Sequence, residues 1–258
     1  MAEDWGGARA FTAWTFESRG LELAAWDIAG ERADGAVVIL THGWGDSRVG
    51  GLSRVEAVVK AASRVILWDM AGHGESQGRC TLGVREVEDL LALIEKVRGE
   101  SGVVLYGWSL GAGVSIAAAT RSEHVRAVVA ESAYRLAMTP ARAVIQGWGL
   151  PWRINLPLAL AWVGWRAGVG VRWRGFDRAE VARGLRVPML VLHGEEDGVS
   201  PVEDGRAIAE AGRGVFVALA GAGHHGMWTG ETRGECVRVV GEFVERVAGV
   251  TTRPGARG

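Results

Sequence analysis

Short apolar runs recur along this chain, with stretches of helical spacing between them. AVVILTHG (36–43), RVILWDM (64–70), GVVLYG (102–107), VRAVVAE (125–131), VPMLVLHG (187–194) and GVFVALAG (214–221) read as strands. VEAVVKAAS (55–63), VREVEDLLALIEKVRG (84–99), LGAGVSIAAAT (110–120) and the stretch 231–248 read as helices. In the second of these, Val87, Leu90, Leu91 and Ile94 repeat at a helical period. Buried strands separated by helices imply a mostly parallel sheet covered by helices on both faces. ARAFTAWTFE (8–17) and LELAAWDI (21–28), turned at Ser18-Arg19-Gly20, add an antiparallel edge, for about eight strands in all. In such a sheet the ligand site lies beyond the carboxyl ends of the strands, here after residues 40, 69, 107, 131, 193 and 220.

One stretch breaks the rhythm. Residues 132–186 are too long for a simple connection and contain Trp148, Trp152, Trp162, Trp165 and Trp173. From Arg135 to Arg174 there are six arginines and no acid. The stretch reads as a helical cap inserted into a single domain made of residues 1–131 and 187–250, with 251–258 a disordered tail. Inside the cap, INLPLALAWVGW (154–165) is uncharged, but a spanning helix needs about 20 apolar residues. A buried or interfacial segment is expected instead.

Composition excludes several classes. With 29 basic and 30 acidic side chains the net charge is −1, which gives no basic footprint for nucleic acid. The opening MAEDWGGARA has two acids and no apolar core, unlike a secretory leader. Cys80 and Cys236 lie far apart and form neither a disulfide framework nor a metal spacing, which fits a reducing cytoplasm. The six histidines have no metal-like spacing, and neither a metal nor a cofactor is implied.

LYGWSLGAGVSI (105–116) interrupts good strand chemistry with a Gly-Trp-Ser-Leu-Gly turn and runs straight into a helix. So sharp a turn forces its central residue into a strained conformation and lifts that side chain above the sheet. Gly107 and Gly111 leave room for strand and helix to approach. Ser109 then sits at a helix N-terminus, where free N–H groups and the dipole favour an oxyanion, and the Leu110 amide is one donor. A serine nucleophile needs a base, and the base needs an orienting acid. VLHGEEDGVSP (191–201) supplies an acid among Glu195, Glu196 and Asp197, with Glu131 as another choice. GAGHHGMW (221–228) supplies a base, His224 or His225. His42 and His73 lie in glycine-flanked loops and are expected to hold loop hydrogen bonds, His124 to lie on the surface, and Asp69 in DMAGHGES to serve its loop.

THGWGDS (41–47), DMAGHGES (69–76), GWSLG (107–111) and the pair HGEEDGVSP–GAGHHGMW (193–201, 221–228) together resemble the α/β-hydrolase superfamily. The resemblance covers nearly the whole chain and points to serine esterases and lipase-like members with a short helical cap. It implies Ser109 as nucleophile, Asp197 as the acid four residues after His193, and His224 as the base directly after the G-x-G turn. It also implies an oxyanion hole formed by the amides of Leu110 and of Trp44 in HGWG. A serine rather than an aspartate at 109 argues against a dehalogenase or epoxide hydrolase.

The expected reaction is hydrolysis of a carboxylic ester of a lipophilic small molecule, with Trp44, Trp108, Trp148, Trp152 and Trp162 as candidate pocket walls. A thioesterase or peptidase-type hydrolase would use the same machinery, and fold alone would also permit a non-catalytic binder. The cap arginines add attraction to anionic substrates or an acidic membrane surface.

Overall fold

A computed structural model describes residues 10–166, 168–170 and 176–248. The sequence expectations for residues 8–9, Trp173 and the tail 251–258 lie outside these residues. An antiparallel hairpin, β1 (Phe11–Ser18) and β2 (Leu21–Ala29), opens the fold. Then come β3 (Ala36–Thr41), α1 (Leu52–Val58), β4 (Ala62–Trp68), α2 (Glu86–Val97), β5 (Val103–Trp108), α3 (Leu110–Ala119) and β6 (Val125–Glu131). Helices α4 (Met138–Gly147), α5 (Trp152–Arg166) and α6 (Arg178–Ala182) separate β6 from β7 (Met189–Gly194). The described chain ends with α7 (Val202–Ala211), β8 (Val215–Leu219) and α8 (Thr232–Ala248).

The strands form one sheet in the order β1-β2-β4-β3-β5-β6-β7-β8. β2 pairs antiparallel with β4, and all pairs from β4 to β8 are parallel. Successive strand residues point to opposite faces, so each buried strand feeds two cores. Val37, Ile39, Val103, Leu105, Val128 and Val191 join one core with α2, α3 and α6. Val38, Leu40, Val104, Tyr106, Val129 and Leu192 join the other with α1 and α8. This is why the strands read as continuous apolar runs rather than as alternating ones. Register brings the carboxyl ends level: Thr41 pairs with Trp68 and Gly107, Trp108 with Glu131, Glu131 with Leu192, and Gly194 with Leu219.

Three expectations change. Helix 55–63 is shorter and earlier, because Ala62 and Ser63 already belong to β4, where their carbonyls accept from the Arg32 and Gly30 amides. The sequence pattern gives no helix between 201 and 214, yet α7 lies there. Two parallel neighbours such as β7 and β8 need a crossover, and Gly205 in mid-helix hid its signal. Of the two readings of 154–165, buried or interfacial, the first does not hold: the stretch is most of α5, whose buried residues are Leu156, Leu160 and Gly164. No described helix is long and apolar enough to cross a membrane.

Helix α3 is buried at every position and carries little but Gly, Ala and one-branch side chains, as a helix pressed between a sheet and other helices must. A Cβ on Gly111 would stand 2.2 Å from the Thr41 carbonyl oxygen. Gly111→Ala is therefore expected to cost about 2 kcal/mol or more, which lowers Tm by roughly 5 °C. Gly147→Ala, with nothing within 4 Å of the added carbon, should change it little. Thermal melts of the two variants check this.

Candidate active site

Ser109 links β5 to α3 at φ 54° and ψ −115°, a left-handed conformation that a side chain rarely adopts. Two glycines permit it: a Cβ on Gly107 would lie 2.2 Å from the Gly111 carbonyl oxygen. The Ser109 amide donates to the Glu131 carbonyl at 2.8 Å, tying the turn to the end of β6. Leu110 opens α3, so its amide has no acceptor within the helix.

The loop after β7 and the loop after β8 lie against each other. The Glu195 amide donates to Leu219 O (3.0 Å) and the Glu196 amide to Ala222 O (2.9 Å). A Cβ on Gly194 would stand 2.3 Å from that same Ala222 oxygen, so Gly194 keeps the loops in contact. These bonds bring His224 over Asp197. His224 Nδ1 is 2.7 Å from Asp197 Oδ2, and His224 Nε2 is 3.2 Å from Ser109 Oγ. Ser109 and Asp197 are buried, and His224 is partly buried.

Asp197 is held by more than the histidine. Its Oδ1 accepts the amides of Val199 (2.9 Å) and Ser200 (2.7 Å). His193 Nε2 approaches its Oδ2 at 3.4 Å and also lies 2.8 Å from Ser200 O. Burial opposes ionisation, but the hydrogen bonds from His193 and His224 and the charge of His224 outweigh it, so the Asp197 carboxyl lies well below the ordinary carboxylate range. Gly205 of α7 passes close over His193, where a Cβ would come 2.3 Å from Nδ1. That contact explains a glycine inside α7.

The loop after β3 completes the rim. A Cβ on Gly43 would lie 3.4 Å from Ser109 Cβ, so residues 43–44 border the serine. His42 holds this loop: its Nε2 accepts the Met70 amide at 2.9 Å, which puts the ring proton on Nδ1, facing Gly43 O at 2.7 Å. Asp69 ties the same loop to 69–76 by accepting the amides of Arg48 (2.6 Å) and Glu75 (2.9 Å) and pairing with the Arg48 guanidinium.

With this geometry in view, residues 38–239 match the model of the alpha/beta hydrolase family. The chain belongs to that family. Protein ABHD12B of Homo sapiens is 26% identical over 74% of this chain, and the chain spans about half, 54%, of that relative. The esterase Pf2001 of Pyrococcus furiosus superposes with a TM-score of 0.77 at 20% identity, over 93% of this chain and 92% of its own. A thermophilic esterase from Thermogutta terrifontis gives 0.65 at 23%, over 94% and 100%. Likeness at these identities speaks to the fold alone.

In this hydrolase-family chain the alternative acids and base are set apart from the Ser109–His224–Asp197 contacts. Glu195 and Glu196 are exposed, and the exposed His225 lies in a T-shaped contact with the His224 ring, at 4.8 Å between centroids. Glu131 faces the other core, where it pairs with Arg54 (2.5 Å) and accepts from Tyr106 Oη (2.5 Å) and Trp228 Nε1 (2.8 Å). His124 lies near the surface at 3.5 Å from Glu95.

The tryptophans named as pocket walls divide. Trp44, next to Gly43 on the rim loop, is 60% exposed. Trp108 is buried in the second core under the Arg54 guanidinium, 4.3 Å from its ring centroid, because strand alternation puts it on the same face as Tyr106. Trp148 and Trp162 face solvent at 70% and 58% exposure, and Trp152 is half-buried beneath Arg142.

Sequence reading missed the Arg54–Glu131–Tyr106–Trp228 cluster, whose members come from α1, β6, β5 and the loop four residues past His224. The one signal was an acid ending an otherwise buried strand. Removing one partner of a buried pair strands the other, so Arg54→Met is expected to cost about 3–5 kcal/mol. Adding Glu131→Gln should recover part of that loss, read from urea unfolding of the two variants.

Burial pushes the His42 imidazole down to about 4 from its ordinary 6.5. As pH falls, the unfolded chain takes up this proton first, so stability declines between pH 6.5 and about 4 and levels off below. His42→Gln should flatten that slope when unfolding midpoints are measured across the window.

Proposed function

We propose that this protein is a serine hydrolase that cleaves carboxylic esters of a lipophilic substrate through an acyl-enzyme intermediate. The observation that carries the reading is one continuous set of contacts. Ser109 Oγ lies 3.2 Å from His224 Nε2, and the opposite ring nitrogen lies 2.7 Å from the Asp197 carboxylate. That is the geometry of a nucleophile, its base and the group that orients the base.

In this mechanism His224 takes the Ser109 proton as Oγ attacks the ester carbonyl. The oxyanion accepts from the Leu110 amide at the start of α3 and the Trp44 amide on the rim loop. Removing one such donor costs about 100- to 1000-fold in rate. His224 then protonates the leaving alcohol, water enters by the same base, and the acyl group departs as a carboxylic acid. Asp197, anionic throughout the neutral range, keeps the His224 proton on Nδ1 and balances the imidazolium. Every proton passes between side chains of this chain and substrate or water.

Residues 132–186 act as a cap in this reading, supported by an apolar cluster of their own: Tyr134, Ala137, Ile145, Leu156 and Leu160 pack together and against Leu82 and Val84. The lipophilic part of the substrate lies between Trp44 and the cap. Among the described tryptophans of this segment, Trp152 faces inward enough to contribute, while Trp148, Trp162 and Trp165 point outward.

Aryl esters of graded chain length, run beside a thioester and an aminoacyl amide, test the assignment. Turnover is expected with the esters, highest for longer acyl chains, and Ser109 should be labelled by a fluorophosphonate. Ser109→Ala should abolish both, and Asp197→Asn should lower kcat by about 10⁴-fold. Unchanged ester turnover by Ser109→Ala would overturn the reading.

A further inference from the structure

Helix α5 is apolar on two opposite sides. Leu156, Leu160 and Gly164 turn inward to α4 and the 82–84 loop. Ile154, Leu158, Trp162 and Trp165 recur at helical spacing on the other side and face solvent, with Leu158 67% and Trp165 75% exposed. Trp148 and Leu150, between α4 and α5, extend the exposed surface. A surface helix of a soluble domain ordinarily carries polar residues on its outer side, and a contiguous apolar patch marks something that covers it.

The charge around the patch says what kind of surface that is. Residues 136–165 contain two arginines and no acid. Arg142 stacks on Trp152 at 4.3 Å, Arg153 on the same ring at 5.5 Å, and Arg166 on Trp162 at 5.1 Å. Arg79 and Arg85 reach the end of α5 from the body of the protein, donating to the carbonyls of Arg166 (3.2 Å) and Gly168 (3.1 Å). Among the described residues none of these five guanidiniums meets a carboxylate. Tryptophan and leucine with a rim of arginine suit the boundary of a bilayer whose headgroups are anionic. A second copy of the chain suits it less, because a two-fold contact would set each arginine rim against its own image. α5 is 15 residues long, too short to span and long enough to lie flat.

We propose that the outer side of α5, with Trp148 and Leu150, docks this protein on an anionic lipid bilayer. The helix lies in the interface, its apolar stripe enters the acyl boundary, and the arginines meet lipid phosphates. The segment that carries this face joins β6 to β7, whose ends carry Glu131 and the Asp197 loop. The docking stands on surface chemistry and does not depend on the hydrolase reading.

Sedimentation of the full chain with phosphatidylcholine vesicles, with and without phosphatidylglycerol, tests it. The protein should pellet with the anionic vesicles and remain in solution with phosphatidylcholine alone, and added salt should weaken binding by roughly tenfold or more. Ile154→Glu/Leu158→Glu/Trp165→Glu should reduce binding at least about tenfold, with Leu158→Ser as a milder variant that keeps the fold. Ser109→Ala should bind like the unaltered chain, which separates a failure of docking from a failure of the proposed chemistry. The proposal is overturned if anionic vesicles do not retain the protein, or if the stripe variants bind them undiminished. It is equally overturned if light scattering shows a dimer that the stripe variants convert to monomer while vesicles bind neither.

Discussion

Backbone from three segments meets at the carboxyl ends of β3 and β5 with no room for a side chain. Gly107 lies under the Gly111 carbonyl, and Gly111 lies under the carbonyls of Thr41 and His42. That close approach brings the start of α3 against the sheet, and the chain can bridge so short a gap only by forcing Ser109 to a positive φ. The strain lifts the hydroxyl out of the sheet, and the same packing leaves the Leu110 amide unpaired at a helix N-terminus. The raised Ser109 hydroxyl and the Leu110 amide left free by the helix are thus two results of one steric constraint.

The other site loops are held by buried carboxylates. Asp69 joins the rim loop to 69–76, Asp197 gathers two amides and two histidines, and Glu131 links α1 to the loop that follows His224. Buried ions are costly, and each of these repays the cost only by satisfying several donors at once. Glu131 shows how such a residue misleads: an acid at a strand end is placed for catalysis by its position, yet alternation sends its side chain to the opposite core.

The same limit applies to residues 132–186. Five tryptophans in one stretch signal a need for apolar contact, but linear sequence does not say with what. The structure sends Trp152 half inward, leaves Trp148, Trp162 and Trp165 outward, and buries Trp108 of β5 beneath Arg54 and against Gly43 of the rim loop. α5 has no clear amphipathic period because both of its sides are apolar, so the usual signal for which face is buried vanishes.

By itself the sequence determined the order of strands and helices, the parallel sheet, the strained serine turn and the loops that carry the histidine and acid. These are local: strand periodicity, glycine spacing and chain order are properties of neighbours along the chain. α7 escaped because a glycine weakens its local signal and a contact with His193, distant in kind, requires that glycine. The residues alone left four acids and two histidines open, and family resemblance favoured Asp197 and His224; the tertiary structure shows that these meet each other and Ser109, and which tryptophans face water. Those choices depend on loops from separate strands closing over one another, and on distances that no spacing along the chain encodes.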